Sequence, residues 1–284
     1  MTLVTAFFYS VACYALNPIF FESVVNKKDL TVLVGCIPLF VGVLAIQVVH
    51  ELAHYLVAKA RGIKIGFPVP IPAAQLGSFG SITPLRSFPP NRAALLDFAL
   101  SGPVAAMGLS FIALITGIYQ TVYASESALS HFPVVPLAML KSSFLTGSLL
   151  SFLAPKAMMM PLSQPIPIHP LFMIGFSGLI SSALNLLPIF RLDGGRACSA
   201  ALGNRIGAIA SAGTLLFLLS LTLSGGTGLA FAWGIFVIFF QRHPEIPVRD
   251  EVTEVDDFRL GAWIASLATS ILALVPFPGG PWFL

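Results

Sequence analysis

Apolar runs long enough to cross a bilayer alternate with short polar or Pro- and Gly-rich stretches along almost the whole chain. Spanning a hydrocarbon core takes about 20 predominantly apolar residues in a helix, and segments of that kind lie at 3–20, 31–60, 95–122, 168–189, 206–223, 229–240 and 261–275. An eighth, 134–153, is interrupted by Pro136 and Lys141 and reads as re-entrant or interfacial. The pattern predicts an all-α polytopic membrane protein with six to eight transmembrane helices. It reads as one domain over 1–284, with a core at about 31–240, a polar loop at 241–259 and a last helix at 260–276. No repeat of 20 to 50 residues is evident.

One stretch breaks the helical pattern. Residues 66–90 are rich in Pro and Gly and contain Leu76-Gly77-Ser78-Phe79-Gly80-Ser81-Ile82-Thr83. Small and apolar residues alternating with glycines predict a short membrane-associated β-hairpin or a loop. As a hairpin, Gly77, Ser78, Phe79 and Gly80 would pair with an extended substrate; as a loop, the stretch only connects two helices.

Composition agrees with the pattern. The chain is 56% hydrophobic and 10% charged, with a mean hydropathy of +0.90, outside the range of a water-soluble domain. A net charge of +3 without a basic stripe argues against nucleic acid as a partner and leaves the lipid bilayer. The first segment lacks the basic start and cleavage site of a signal peptide and reads as a retained helix. Any targeting region is therefore expected upstream, the chain being a fragment or a processed form. Cys13, Cys36 and Cys198 lack metal-type spacing and read as small buried residues.

The chemistry sits at His50-Glu51-Leu52-Ala53-His54, inside the second apolar run. Residues four apart on a helix project from one face, about 40° apart and roughly 6 Å along the axis, so both imidazoles can hold one metal ion. HExxH on a helix is the zinc-hydrolase pattern, with a Glu that takes a proton from the attacking water. An ionisable residue at membrane depth costs roughly 3 kcal/mol on insertion scales and is usually functional. Lys59, Arg61 and Lys64 follow directly, so the positive-inside rule turns this end, and the opening of the site, toward the cytoplasm or stroma.

Catalytic zinc usually keeps three protein ligands. The best candidate for the third is Asp193, in Asn185-Leu186-Leu187-Pro188-Ile189-Phe190-Arg191-Leu192-Asp193-Gly194-Gly195-Arg196, where Pro188 and the glycine pair would break the helix and turn the carboxylate toward a metal. The alternative is an interfacial Asp capping the following helix. Asp97, near the start of the third helix, and His131 and His169, in the mixed stretch 125–170, are weaker ligand candidates. Asn185 would either donate a hydrogen bond to an oxyanion or bond a neighbouring helix. The acidic cluster from Asp250 to Asp257 reads as a solvated loop.

With HELAH in one membrane helix and Asn-Leu-Leu-Pro followed by Leu-Asp-Gly-Gly-Arg in a later one, the chain resembles the site-2 protease family of intramembrane zinc metalloproteases. It is most similar to the plastid and cyanobacterial branch, the ethylene-dependent gravitropism-deficient and yellow-green proteins. Leu76 to Thr83, Leu100-Ser101-Gly102-Pro103, Ile168-His169-Pro170-Leu171 and Gln241-Arg242-His243-Pro244-Glu245 are also similar. The resemblance implies one Zn2+ per chain held by His50, His54 and Asp193, Glu51 as base, and Asn185 as a substrate or transition-state contact. It also implies cleavage of membrane proteins that carry a transmembrane helix, in a plastid (thylakoid or inner-envelope) or cyanobacterial membrane. That branch carries a soluble region before its first helix, which this sequence does not include, and there is no PDZ-like insertion. A proteolytically inactive chaperone or assembly factor of the same fold and a metal transporter are the rival readings. Intact HELAH and Asp193 weigh against the first, and the convergence of ligands on one point without repeated halves weighs against the second.

Overall fold

The computed structural model describes residues 1–223, 228–240 and 246–282. Nine helices of ten or more residues stand in chain order among them: α1 Thr2–Tyr14, α2 Ile37–Ala60, α3 Arg92–Val122, α4 Phe144–Leu153, α5 Pro170–Asn185, α6 Asp193–Leu202, α7 Asn204–Leu223, α8 Gly228–Phe240 and α9 Asp257–Leu274. Strands β1 Val69–Ala73 and β2 Gly77–Ile82 pair antiparallel, and a smaller antiparallel pair joins β3 Val134–Pro136 to β4 Pro165–Pro167.

Four helical stretches among the described residues are long and apolar enough to cross a membrane: Leu30–Ala60, Arg92–Val122, Asn204–Leu223 and Asp257–Leu274. The first segment would make a fifth, but it bends by 113° between Thr2–Tyr14 and Pro18–Asn26. Asn17 causes the break, capping the second piece by accepting from Phe20 N, with Pro18 at its first position. Length and composition thus support four spans, or five if the bent pair is one, among the described residues, and the six to eight suggested by hydropathy are not confirmed. The 168–189 run accounts for part of the difference. Its helix α5 has 16 residues, about 24 Å at 1.5 Å per residue, and is buried on every side from Phe172 to Asn185. Its apolar side chains pack against the other helices of the bundle. The 229–240 segment forms α8, which has 13 residues, while the Gln241 to Glu245 stretch lies outside the described residues.

On α2 the buried positions are Leu39, Val43, Ile46, His50, His54 and Ala58. That three-or-four spacing is a helical stripe. The opposite face exposes Val41, Val48, Leu52 and Leu56, and its equal hydrophobicity hides the stripe from a hydropathy reading. Helices α2, α3 and α5 pack together at the centre through small residues. A Cβ on Gly175, for example, would meet Ser110 O and Leu114 N of α3. The polar chain before α9 docks on the start of α3, with Arg249 N and Asp250 N donating to the carbonyls of Pro89 and Pro90 at 2.9 and 3.2 Å.

Hairpin β1–β2 sits against α1, α2 and α5. In its register Pro70 faces Ser81 and Pro72 faces Ser78, so β2 has one residue too many between them. Gly80, at φ 97°, absorbs this bulge in a conformation that side-chain-bearing residues rarely adopt.

Candidate metal centre

His50 and His54 are 3% and 1% exposed, and Asp193 is 4% exposed. The Nε2 atoms of the two histidines lie 3.0 Å apart, and Asp193 Oδ2 is 3.3 Å from each. One nitrogen from each imidazole and one carboxylate oxygen thus converge on a single point. Four-coordinate zinc with bonds of about 2.0–2.2 Å holds its ligands roughly 3.3–3.6 Å from one another, so three such donors fit one zinc ion. The donor set, two neutral nitrogens and one carboxylate, is the kind that zinc accepts.

Each ligand has a structural cause. The Nδ1–H of His54 donates to Phe98 O at 2.9 Å, which leaves Nε2 with its lone pair directed at the site. Ser101 Oγ lies 3.3 Å from the same Nδ1 and itself donates to Phe98 O. Helix α3 approaches this closely because position 102 is glycine; a Cβ there would fall onto the rings of both histidines. Asp193 opens α6, after a tight turn that includes Phe190 at φ 36°. Pro188 lies in that turn, whereas Gly194 and Gly195 are inside the first turn of α6 instead of breaking a helix. Their missing side chains let α6 press onto the carbonyls of Leu186, Leu187, Ile189 and Phe190. The second oxygen of Asp193 faces Arg196, whose guanidinium is 3.7 Å away and lies over the Phe98 ring.

Glu51 rims the site. Its Oε1 is 3.8 Å from His50 Nε2, and it accepts hydrogen bonds from the hydroxyls of Ser81 and Thr83 and from Gln47. These residues line a cleft of about 700 Å³ completed by Val48, Leu52, Tyr55, the 65–68 segment and Pro70. Val48, Leu52, Tyr55 and Phe67 are more than half exposed, so the mouth is apolar and turned outward. Prolines alternate at 68, 70 and 72. Alternate residues of a strand direct their N–H groups to one edge, so the edge of β1 away from β2 offers carbonyls and no proline N–H.

The other candidates are placed elsewhere. Gly77, Ser78, Phe79 and Gly80, expected to meet substrate, are buried. Gly77 packs on Ala6 and Val43, and the Phe79 ring rests on Trp233. The hairpin faces the cleft instead through Pro68, Pro70, Ser81 and Thr83, because the bulge turns the first half of β2 inward. Asn185 spends both N–H bonds on Phe79 O, at 2.9 Å, and Ser181 O, at 3.1 Å. It therefore clamps β2 and has no donor left for an oxyanion in this conformation; its Oδ1 has no partner among the described residues. Asp97 is bound by Arg61 and Arg259 and does not join the histidines. His169 caps α5, its Nδ1 accepting from Leu171 N, and stands edge-on to Phe132. Cys13, Cys36 and Cys198 are free and buried.

The profile of Peptidase family M50 matches residues 38–223, which contain both halves of this site. The chain belongs to peptidase family M50. Among curated relatives, it is 35% identical over 244 residues to the probable zinc metalloprotease EGY1, chloroplastic, of Oryza sativa subsp. japonica, covering 85% of this chain and 41% of that protein. It is 35% identical over 247 residues to EGY1 of Arabidopsis thaliana, covering 85% and 43%, and 33% identical over 230 residues to EGY2 of the same plant, covering 81% and 40%. This M50 chain thus spans about two-fifths of the length of those relatives. No solved structure matches it.

Proposed function

We propose that the chain is the catalytic part of an intramembrane zinc endopeptidase that cuts membrane proteins in or near a transmembrane helix. One observation carries the reading: three buried ligand atoms converge beside a glutamate on the wall of a cleft whose mouth is apolar. His50, His54 and Asp193 would hold one Zn2+, which when bound supplies Lewis acidity to the scissile carbonyl and the attacking water. Glu51 accepts the proton of that water at a carboxylate oxygen and hands it to the leaving amine nitrogen.

A helix hides its peptide bonds in its own hydrogen bonds, so a substrate segment must unwind before it is cut. The acceptor-only edge of β1 suits that state. It takes N–H groups from an extended segment and competes for none of its carbonyls. Gly77 to Gly80 would serve from behind, by shaping the hairpin, and Asn185 by pinning it.

The relatives carry chloroplastic names, and a plastid membrane, thylakoid or inner envelope, or its cyanobacterial counterpart, is the proposed location. Lys59, Arg61 and Lys64 at the end of α2 favour a site opening to the stromal or cytoplasmic side.

The deciding experiment uses the purified full chain and a single-helix substrate in bilayers. Glu51→Gln is expected to retain about one zinc and lose cleavage; cleavage that persists rejects the mechanism.

A further inference from the structure

We infer that Ser81 and Thr83 are positioning residues for Glu51, an assignment that rests on the reading of Glu51 as the base. Both follow the bulge in the hairpin and are 5% and 2% exposed. Two residues apart on extended chain, they present their side chains on one face. The Ser81 hydroxyl donates to Oε1 of Glu51 and the Thr83 hydroxyl to Oε2, the latter at 2.6 Å. The carboxylate is therefore gripped at both oxygens and cannot rotate without breaking a bond.

Gln47 completes the support from one helical turn earlier on α2. Its Nε2 reaches Ser81 Oγ at 2.9 Å and Glu51 Oε1 at 3.3 Å, while its Oε1 accepts from Ser78 Oγ at 3.4 Å. The amide thus orients the Ser81 hydroxyl, which accepts from Gln47 and donates to Glu51. Hydroxyls are the residues that can do this, each being donor and acceptor at once.

A glutamate on the wall of a cleft has many rotamers, and fixing one costs side-chain entropy. The end of β2 and Thr83 just after it meet that cost before substrate arrives. The held Oε1 is also the oxygen nearest His50. Because β1 lines the same cleft and is paired to β2, a substrate segment docked on β1 would brace the strand that holds the base.

The test uses the zinc- or cobalt-loaded full chain and acetohydroxamate, a small chelator that engages a catalytic metal together with the adjacent base. Ser81→Ala combined with Thr83→Val is expected to keep about one metal per chain yet bind acetohydroxamate about tenfold more weakly, the scale of one lost hydrogen bond to a charged group. On a single-helix substrate, kcat should fall at least tenfold with KM within about twofold. Ser81→Thr and Thr83→Ser should restore both. Should the double variant not fold, Thr83→Val alone, which keeps the shape of the side chain, carries the same expectation for Oε2. A metal-loaded variant with wild-type hydroxamate affinity overturns the assignment. Wild-type protein that binds metal and hydroxamate but cuts no helix would instead overturn the peptidase reading, and the hydroxamate comparison would still decide the role of the two hydroxyls.

Discussion

Phe98 holds His54 twice: its carbonyl accepts the Nδ1–H at 2.9 Å, and its ring centroid lies 4.7 Å from that of the imidazole. Both contacts require α3 to run hard against α2, and Gly102 is what permits that approach. Gly102→Ala should therefore push His54 off its position. Zinc affinity is expected to fall about 10- to 100-fold, the usual effect of disturbing a ligand's support, read by metal titration on the purified chain. Zinc binding equal to wild type would show that the α2–α3 spacing does not set the site.

Asp97 offers the opposite expectation. Its carboxylate joins Arg61 on the loop after α2 to Arg259 on α9, with no approach to the histidines. Asp97→Asn should leave zinc content unchanged and cost about 0.5–1 kcal/mol of stability, since these side chains are partly solvated and such pairs are weak. Thermal unfolding in detergent measures the second part. Loss of metal in this variant would reinstate Asp97 as a ligand.

The convergence of His50, His54 and Asp193 could be anticipated from sequence because helical periodicity fixes the two histidines relative to each other, and Asp193 is a rare acid set among apolar segments. The grip on Glu51 could not. Ser81 and Thr83 are common residues, and only the packing of β2 and the residue that follows it on α2 brings their hydroxyls to the carboxylate. Hydropathy does not fix the number of spans, because a helix buried in protein, such as α5, and one exposed to lipid are equally apolar. The inward turn of Gly77 to Gly80 follows from a bulge whose register no local pattern announces. Asn185 was readable as a polar group in an apolar helix, but its partner, the carbonyl of Phe79, belongs to backbone and has no sequence signature.

Asn185→Ala should expose that dependence. Removing the amide leaves the Phe79 carbonyl buried without its bond, a cost of about 1–3 kcal/mol. The metal site does not include Asn185, so zinc should be retained while amide exchange in β2 rises and cleavage falls. Unchanged exchange across Gly77–Ile82 would mean that Asn185 does not pin the strand.

At the polar end of the molecule, Asp250 closes a turn: its carboxylate accepts from the Thr253 hydroxyl at 2.6 Å and from the backbone N–H groups of Thr253 and Val252 at 3.0 Å each. These donors, the Thr253 hydroxyl foremost, hold the Asp250 carboxyl below its usual range. A group whose folded pKa is depressed contributes stability above its unfolded value, about 3.9 for Asp, and loses that contribution as pH falls through the folded value. The same residue joins the loop to Pro90, so acid should release the turn and then its docking on α3. Amide exchange at Val252 and Thr253, corrected for its intrinsic pH dependence, should rise below about pH 4 in wild type. In Asp250→Asn, which removes the titrating carboxylate, it should already be raised at neutral pH and change little on acidification. Identical profiles for the two proteins would show that the turn is held by the Pro89 and Pro90 carbonyls alone.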